Sequence, residues 1–218
     1  MKRVLVLGAY GLIGSEVVRD LRAQGYEVSG LGRNRAAAAR AFPHLNWHIK
    51  DLHDLTAGPA WHPILQNVDA VVNCAGALQD GADDDLNTVH HDMLVALSQA
   101  AATHQIDIVQ ISAAGVSEEA STAFFRTKAA GDAALLASGA QVWILRPGLV
   151  IAHGAYGGTA LLRQLSAVPF VQPMAMARAP IQCVAARDVA HAVGAALAGD
   201  IPSGTTIDLV EETPHSLS

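Results

Sequence analysis

The segment Lys2–Gly14, K-R-V-L-V-L-G-A-Y-G-L-I-G, restricts the fold of this chain more than any other stretch. The apolar run Val4–Leu7 predicts a short buried strand that ends at a glycine. Gly8, Gly11 and Gly14 then lead into a helix from Leu12, and each has its own task. Gly8 permits the tight turn off the strand, Gly11 lets a pyrophosphate approach the backbone, and Gly14 lets the helix pack closely. Unpaired N–H groups and the positive dipole end of that helix favour a phosphate. The candidate binding residues of the turn are therefore Gly8, Tyr10, Gly11, Leu12, Ile13 and Gly14. A glycine pattern alone is weak, but this one lies between a strand and a helix, where a first βαβ unit starts.

Downstream, strand-like and helix-like stretches alternate without repeats or a Pro/Gly/Ser linker. That pattern predicts an α/β, doubly wound parallel sheet with helices on both faces. Hydrophobic residues at 51% and charged residues at 16% supply a two-sided core and exclude wholesale disorder. One domain over residues 1–218 is expected, with a binding core over 1–150 and a partial, substrate-side extension over 151–218. The net charge of −6 gives nucleic-acid binding no electrostatic support. Two cysteines, Cys74 and Cys183, form no disulfide framework and fit a reducing, cytoplasmic setting. No apolar run is long enough to span a bilayer, and a strand follows the first residue too closely for a signal peptide. The end at Pro214–Ser218, where a capped helix would begin, reads as a cut, so the chain is expected to be part of something longer.

Predicted elements then place the remaining candidates. A helix over Leu12–Ala23 precedes a strand over Glu27–Leu31, and Gly32-Arg33-Asn34-Arg35 follows. Folds that bind NAD place an acidic residue about 20 residues beyond the glycines for the ribose 2′-hydroxyl. This chain has none there. Arg33 and Arg35 can instead clamp a 2′-phosphate, which favours NADP over NAD. A short helix over Ala36–Ala41 and a strand over Asn46–Ile49 lead to Asp51-Leu52. The carboxylate is placed to accept from an adenine amino group, or simply to cap a turn. Another short helix is expected at Trp61–Gln66.

The strand Val68–Asn73 runs into Asn73-Cys74-Ala75-Gly76, whose small residues leave room for a cofactor. A loop over Gln79–Asp85 holds the acidic stretch Asp83–Asp85, and one long helix is predicted over Asp84–Thr103. His90, His91 and Asp92 on it do not suggest a metal site, because adjacent helical residues diverge. The strand Ile106–Ile111 delivers Ser112, and Ser121 or Thr122 caps a helix that carries Phe124 and Lys128. A strand over Gln141–Leu145 reaches Arg146-Pro147-Gly148. A loop at Gly154–Gly158, a helix at Thr159–Ala167 and an irregular Pro169–Pro180 follow. Asp188 is expected to cap a helix over Val189–Ala198, before a last strand over Thr205–Val210.

With these residues assembled, the sequence resembles the short-chain dehydrogenase/reductase superfamily. It is most similar to its extended and atypical branches, including proteins like the complex I accessory subunit. G-A-Y-G-L-I-G at Gly8–Gly14, D-L at Asp51-Leu52, N-C-A-G at Asn73–Gly76 and R-P-G at Arg146–Gly148 carry the resemblance, in the family's order. It implies a Rossmann fold with a pyridine dinucleotide across the strand ends, contacted by Arg33, Asp51, Leu52, Cys74, Ala75, Gly76, Ser112, Lys128 and Pro147. It also implies catalysis by a tyrosine four residues before a lysine, with a serine near the end of the fifth strand. Lys128 stands in the lysine position and Ser112, or else Ala114, in that of the serine. The tyrosine position holds Phe124, whose ring has no proton to give.

Three functions stay open. The protein is an NADPH-dependent oxidoreductase or isomerase acting on a small molecule, with its proton from Tyr156, a histidine or water. Alternatively it is a non-catalytic NADP(H)-binding redox sensor or assembly component. In the third, Phe124 merely packs, Lys128 is solvated, and there is no ligand.

Overall fold

The computed structural model describes residues 1–81, 85–152 and 180–216. The sequence expectations for Asp83, Asp84, the Gly154–Gly158 loop, Tyr156, the Thr159–Ala167 helix and nearly all of Pro169–Pro180 fall outside the described residues.

Seven parallel strands form the main sheet: β1 (Arg3–Leu7), β2 (Glu27–Gly32), β3 (Asn46–Ile49), β4 (Ala70–Asn73), β5 (Asp107–Ile111), β6 (Val142–Pro147) and β9 (Thr206–Leu209). Their order is β3-β2-β1-β4-β5-β6-β9, so the chain moves outward from β1 in one direction and returns to continue in the other. The helices are α1 (Leu12–Ala23), α2 (Arg35–Ala41), α3 (Gly58–Leu65), α4 (Met93–His104), α5 (Ala123–Ala137) and α6 (Ala186–Ala198). Two three-residue strands, β7 (Leu149–Ile151) and β8 (Cys183–Ala185), pair in a separate parallel ribbon.

The period of two along β1 explains the two-faced core. Val4 and Val6 face α1 and α6, where they meet Val17, Val18, Leu21, Val189 and Val193. Leu5 and Leu7 face the other layer, with Trp61, Met93, Leu94, Leu97 and Leu135 from α3, α4 and α5. Because both faces are covered, β1 reads as a continuous apolar run rather than as an alternating one. At the amino-terminal rim, Arg3 holds Asp69 through its backbone N–H at 2.7 Å and its guanidinium at 2.8 Å, and those bonds hold the Asp69 carboxyl at about 2.

Three local departures from the sequence expectation have physical causes. The helix expected over Asp84–Thr103 is interrupted by a π-helical segment, Thr88–Asp92, before α4. There the His90 carbonyl presses against α5, so close that a Cβ built on Gly131 would lie 1.8 Å from it. A one-residue bulge leaves apolar spacing almost unchanged, and so escapes a periodicity argument. Second, α6 starts at Ala186, its N-cap residue is Ala185, and no side chain caps it. Asp188 therefore does not cap it but lies in its first turn, where a carboxylate suits the helix dipole. Third, β7 and β8, at three residues each, are too short to leave a period.

The α5–π-segment contact yields a test. Alanine is better than glycine in a helix by about 1 kcal/mol. At position 131 its methyl would meet a backbone carbonyl that cannot swing aside. Gly131→Ala is expected to lower stability by about 1–3 kcal/mol in urea unfolding; an unchanged or raised midpoint would show that the helices separate freely.

Candidate functional site

The turn after β1 is built from backbone. Gly8 has φ of +67°, a conformation that side chains rarely adopt. Its N–H donates to Leu31 O at 2.9 Å, and Gly11 N–H donates to Gly8 O at 2.8 Å. A Cβ on Gly14 would lie 2.2 Å from that same carbonyl, so the first turn of α1 packs directly on the glycine turn. Gly11 is the N-cap residue of α1, no side chain caps the helix, and no acidic residue lies in its first turn. Leu12 and Ile13, half-buried, open the helix. The unfilled donors and dipole of this twelve-residue helix suit a diphosphate.

Across the mouth of β1 runs the continuation of β4. Cys74 N–H donates to Leu7 O at 3.1 Å, and the Ala75 backbone lies 3.0 Å from where a Gly8 Cβ would be. Buried Asn73 fixes this segment: its Oδ1 accepts from Ala75 N–H at 3.1 Å and its Nδ2 donates to Gln110 Oε1 at 2.8 Å. Glycine turn, α1 start and Cys74-Ala75-Gly76 thus surround the point where strand order reverses, the usual place for a ligand in such sheets.

On the β2 side, Gly32 ends the strand, and Arg33 and Arg35 are exposed beyond it. Tyr10 reaches over from the glycine turn, and its hydroxyl accepts from Asn34 N–H at 3.1 Å. Asp51 caps a 3-10 turn, Leu52–Leu55, by accepting from His53 N–H at 3.1 Å, and it pairs with His53 Nδ1 at 2.7 Å. Burial acts to raise its pKa, but the His53 hydrogen bonds and the charges of His53 and Arg33 bring it below the ordinary value. The half-buried Leu52 packs toward the α3–α4 layer.

On the β5–β6 side the polar groups are turned toward one another. Ser112, 5% exposed, donates to Asp132 Oδ2 at 2.8 Å, and Arg146 donates to the same oxygen at 3.0 and 3.2 Å. Asp132 Oδ1 is buried without a partner, and burial raises the pKa of this carboxyl despite Ser112 and Arg146. Lys128, buried, donates to Ile111 O at 3.3 Å, and its Nζ lies 5.6 Å from the centre of the Phe124 ring. Burial lowers its pKa to about 8, against the raising effects of Asp132 and Cys74. Pro147, at the end of β6, accepts from Ala114 N–H at 2.9 Å.

His90 completes this side. Its Nε2 accepts from Ala77 N–H at 3.2 Å, which requires a neutral ring with the proton on Nδ1. That Nδ1 faces Thr127 Oγ1 at 3.0 Å, and the ring stands edge-on to Phe124 at 5.5 Å. Burial, with the Lys128 charge, pushes its pKa down to about 3. His91 turns the other way, to Asp92 at 2.8 Å, and among the described residues no three metal-ligating groups converge.

The structure therefore brings together the glycine turn, Cys74-Ala75-Gly76 and, at the other end, Lys128 with Phe124. It directs the Ser112 hydroxyl away to Asp132. Burial pushes the Cys74 thiol up to about 12, away from the range of an activated thiolate. Sequence reasoning missed Asp132 and the inward role of His90. The available signal for Asp132 was its place one helical turn after Lys128, on the same face.

Comparison with known proteins agrees with this architecture. A family model described as the NAD dependent epimerase/dehydratase family matches residues 4–157. No curated protein matches the chain. Among solved structures, the Bordetella bronchiseptica enzyme WbmH in complex with NAD+ is 20% identical, with a TM-score of 0.83 over 100% of this chain and 78% of that one. UDP-glucose 4-epimerase from Thermotoga maritima, with UDP-glucose, is 15% identical, with a TM-score of 0.81 over 99% and 79% of the two chains. dTDP-glucose 4,6-dehydratase from Bacillus anthracis, in complex with NAD, is 16% identical, with a TM-score of 0.79 over 99% and 77%. At such identities the likeness is one of fold. Among the described residues no helix is long and apolar enough to cross a membrane.

The buried histidine sets an acid limit. His90 titrates near 3 in the fold and near 6.5 in the unfolded chain. The unfolded state thus binds the extra proton first, and stability falls as pH drops from 6.5 toward 3. At pH 5 this one group is expected to cost about 2 kcal/mol relative to neutral pH. Urea unfolding of His90→Asn should show a flatter acid limb than the parent by that amount. Equal slopes would mean that His90 is not held neutral.

Proposed function

The chain belongs to the NAD dependent epimerase/dehydratase family, and from that membership we propose that it binds a pyridine dinucleotide, the 2′-phosphorylated form in preference. In this reading it holds the coenzyme as a redox-sensing or assembly component and does not perform the family's tyrosine-borne proton transfer. The observation that carries the reading is the uncapped amino-terminal end of α1 beside the Gly8 turn. The residues present fit a dinucleotide: a diphosphate on the α1 start, an adenosine toward β2, and a nicotinamide ribose toward Lys128. When bound, such a coenzyme supplies a hydride. Wild-type residues supply binding and orientation only.

Preference for the 2′-phosphate is supported by Gly32 and Arg33 at the end of β2, where a carboxylate would repel that group. The NAD complexes named above belong to those proteins, whose identity to this chain is 20% or less. The UDP-glucose of the Thermotoga maritima epimerase suggests a pocket class, but a sugar hydroxyl must give up its proton to be oxidised, and Phe124 cannot take it. Ser112 is held on Asp132, Lys128 on the Ile111 carbonyl, and His90 through both ring nitrogens. These engagements favour holding over turnover, which fits the resemblance to the atypical, accessory-subunit-like branch.

Two measurements test this reading. Arg33→Ala is expected to weaken NADPH binding about tenfold or more, as for one lost charged hydrogen bond, and NADH binding by less than about threefold. Equal losses would end the NADP assignment. Phe124→Tyr restores a phenol beside Lys128. NADPH oxidation with a panel of quinones, enals and keto compounds should be negligible in the parent and rise at least about tenfold in the variant, within the usual contribution of general acid catalysis. Brisk turnover by the parent would refute the holding role.

A further inference from the structure

The carboxyl end of β2 carries an unusual exchange of side chains. Gly30 and Gly32 are two residues apart, so both present the same face of the strand. An aromatic ring lies on each. A Cβ on Gly30 would fall 2.6 Å from Trp47 Cζ3, and one on Gly32 would fall 2.3 Å from Tyr10 Cε1 and 3.1 Å from its hydroxyl oxygen. The two rings adjoin, with centres 5.8 Å apart and planes inclined by 39°. Each is tied down. Trp47 Nε1 donates to Phe42 O at 3.1 Å, and the Tyr10 hydroxyl accepts from Asn34 N–H at 3.1 Å.

Position 32 is the last residue of β2, the place from which an acidic side chain takes the adenosine ribose hydroxyl in dinucleotide folds. Here no side chain of any kind can leave the backbone while Tyr10 keeps its place. The tyrosine comes from within the glycine turn itself, so the element that receives the diphosphate also fills the space of the missing carboxylate. The exchange reverses the hydrogen-bonding character of the spot. A carboxylate only accepts, and it suits a ribose hydroxyl. The Tyr10 oxygen already accepts from Asn34, which leaves its own O–H to donate. A donor at this point, next to the Arg33 guanidinium in sequence, suits an acceptor-rich phosphate.

We infer that Tyr10 is a specificity-determining residue: it excludes a carboxylate from position 32 and donates its phenolic proton to the 2′-phosphate of an adenosine dinucleotide. This rests on the dinucleotide-binding reading above, and the experiment separates the two. Calorimetric titration of the full chain uses NADPH, NADH, adenosine 2′,5′-bisphosphate and 5′-AMP as probes. Tyr10→Phe keeps the ring and removes the donor. It is expected to weaken NADPH and adenosine 2′,5′-bisphosphate about tenfold and leave NADH and 5′-AMP within about twofold.

Gly32→Asp is expected to weaken every probe, because carboxylate and ring contend for one place. The pair Tyr10→Ser with Gly32→Asp should bind NADH more tightly than either single variant. The effects in this cycle are therefore non-additive. Equal losses on both nucleotide classes in Tyr10→Phe, or additive effects in the cycle, would overturn the role of Tyr10 while the dinucleotide reading stands. If the parent binds none of the four probes, the dinucleotide reading fails and this inference fails with it.

Discussion

The close approach of α1 to the turn that precedes it governs the rest of the architecture. Gly14 sits so near the Gly8 carbonyl that any side chain there would displace one of them. Three consequences follow from this one packing requirement. The helix axis is aimed at the mouth of β1, its first N–H groups stay uncovered, and β4 can lay its continuation over the same turn through Cys74 N–H and Leu7 O. A larger residue at position 14 would push the helix away and open all three at once. The geometry at the start of α1 is thus set by a backbone contact, not by any polar side chain.

At the opposite end the constraint is electrostatic. Lys128 and Asp132 are both buried, and Arg146 reaches Asp132 from β6. Burying charge is costly unless each group is paired. The pairing here is lopsided, since Ser112 and both Arg146 bonds converge on Oδ2 while Oδ1 has no partner. Burial therefore wins, and the carboxyl is harder to ionise than usual. This cluster joins β5, β6 and α5, and it orients the face of α5 that carries Phe124 and Lys128. The Ser112 hydroxyl is engaged within the cluster, on Asp132 Oδ2.

The fold was legible because its signals are redundant. Strand runs, glycines and helix lengths all named the same βαβ order, and α1 and β3 have the expected boundaries. What stayed hidden depends on geometry that sequence spacing does not encode. A π-helical segment leaves the apolar rhythm of Val89, Met93 and Leu97 intact, and the contact its His90 carbonyl makes lies on another helix, at Gly131. Asp132 looks like an ordinary polar helix residue until β6 supplies Arg146. The stretch after β2 was noted for lacking a carboxylate, but not the Tyr10 ring that lies over Gly32 from the glycine turn. The glycine turn between β1 and α1 was thus readable, and its neighbours across the sheet were not.

In the proposed reading both ends of the ligand site have exchanged one side chain for another, and the exchanges run in opposite chemical directions. On that reading the Tyr10 hydroxyl stands as a donor at β2 in place of an acidic acceptor, and that end prefers negative charge. In the same reading Phe124 stands where the resemblance implies a phenol, so that position has no exchangeable proton and Lys128 lies buried over an aromatic face. A lysine in such a place needs oxygen acceptors, and the Ile111 carbonyl supplies one. In the proposed reading the ribose of a coenzyme supplies more, and the ammonium then spends its interaction on holding. In that reading both changes favour retention of a phosphorylated dinucleotide, and neither assists transfer of a proton to a substrate. That shared direction makes a holding role the more coherent outcome of the two substitutions taken together.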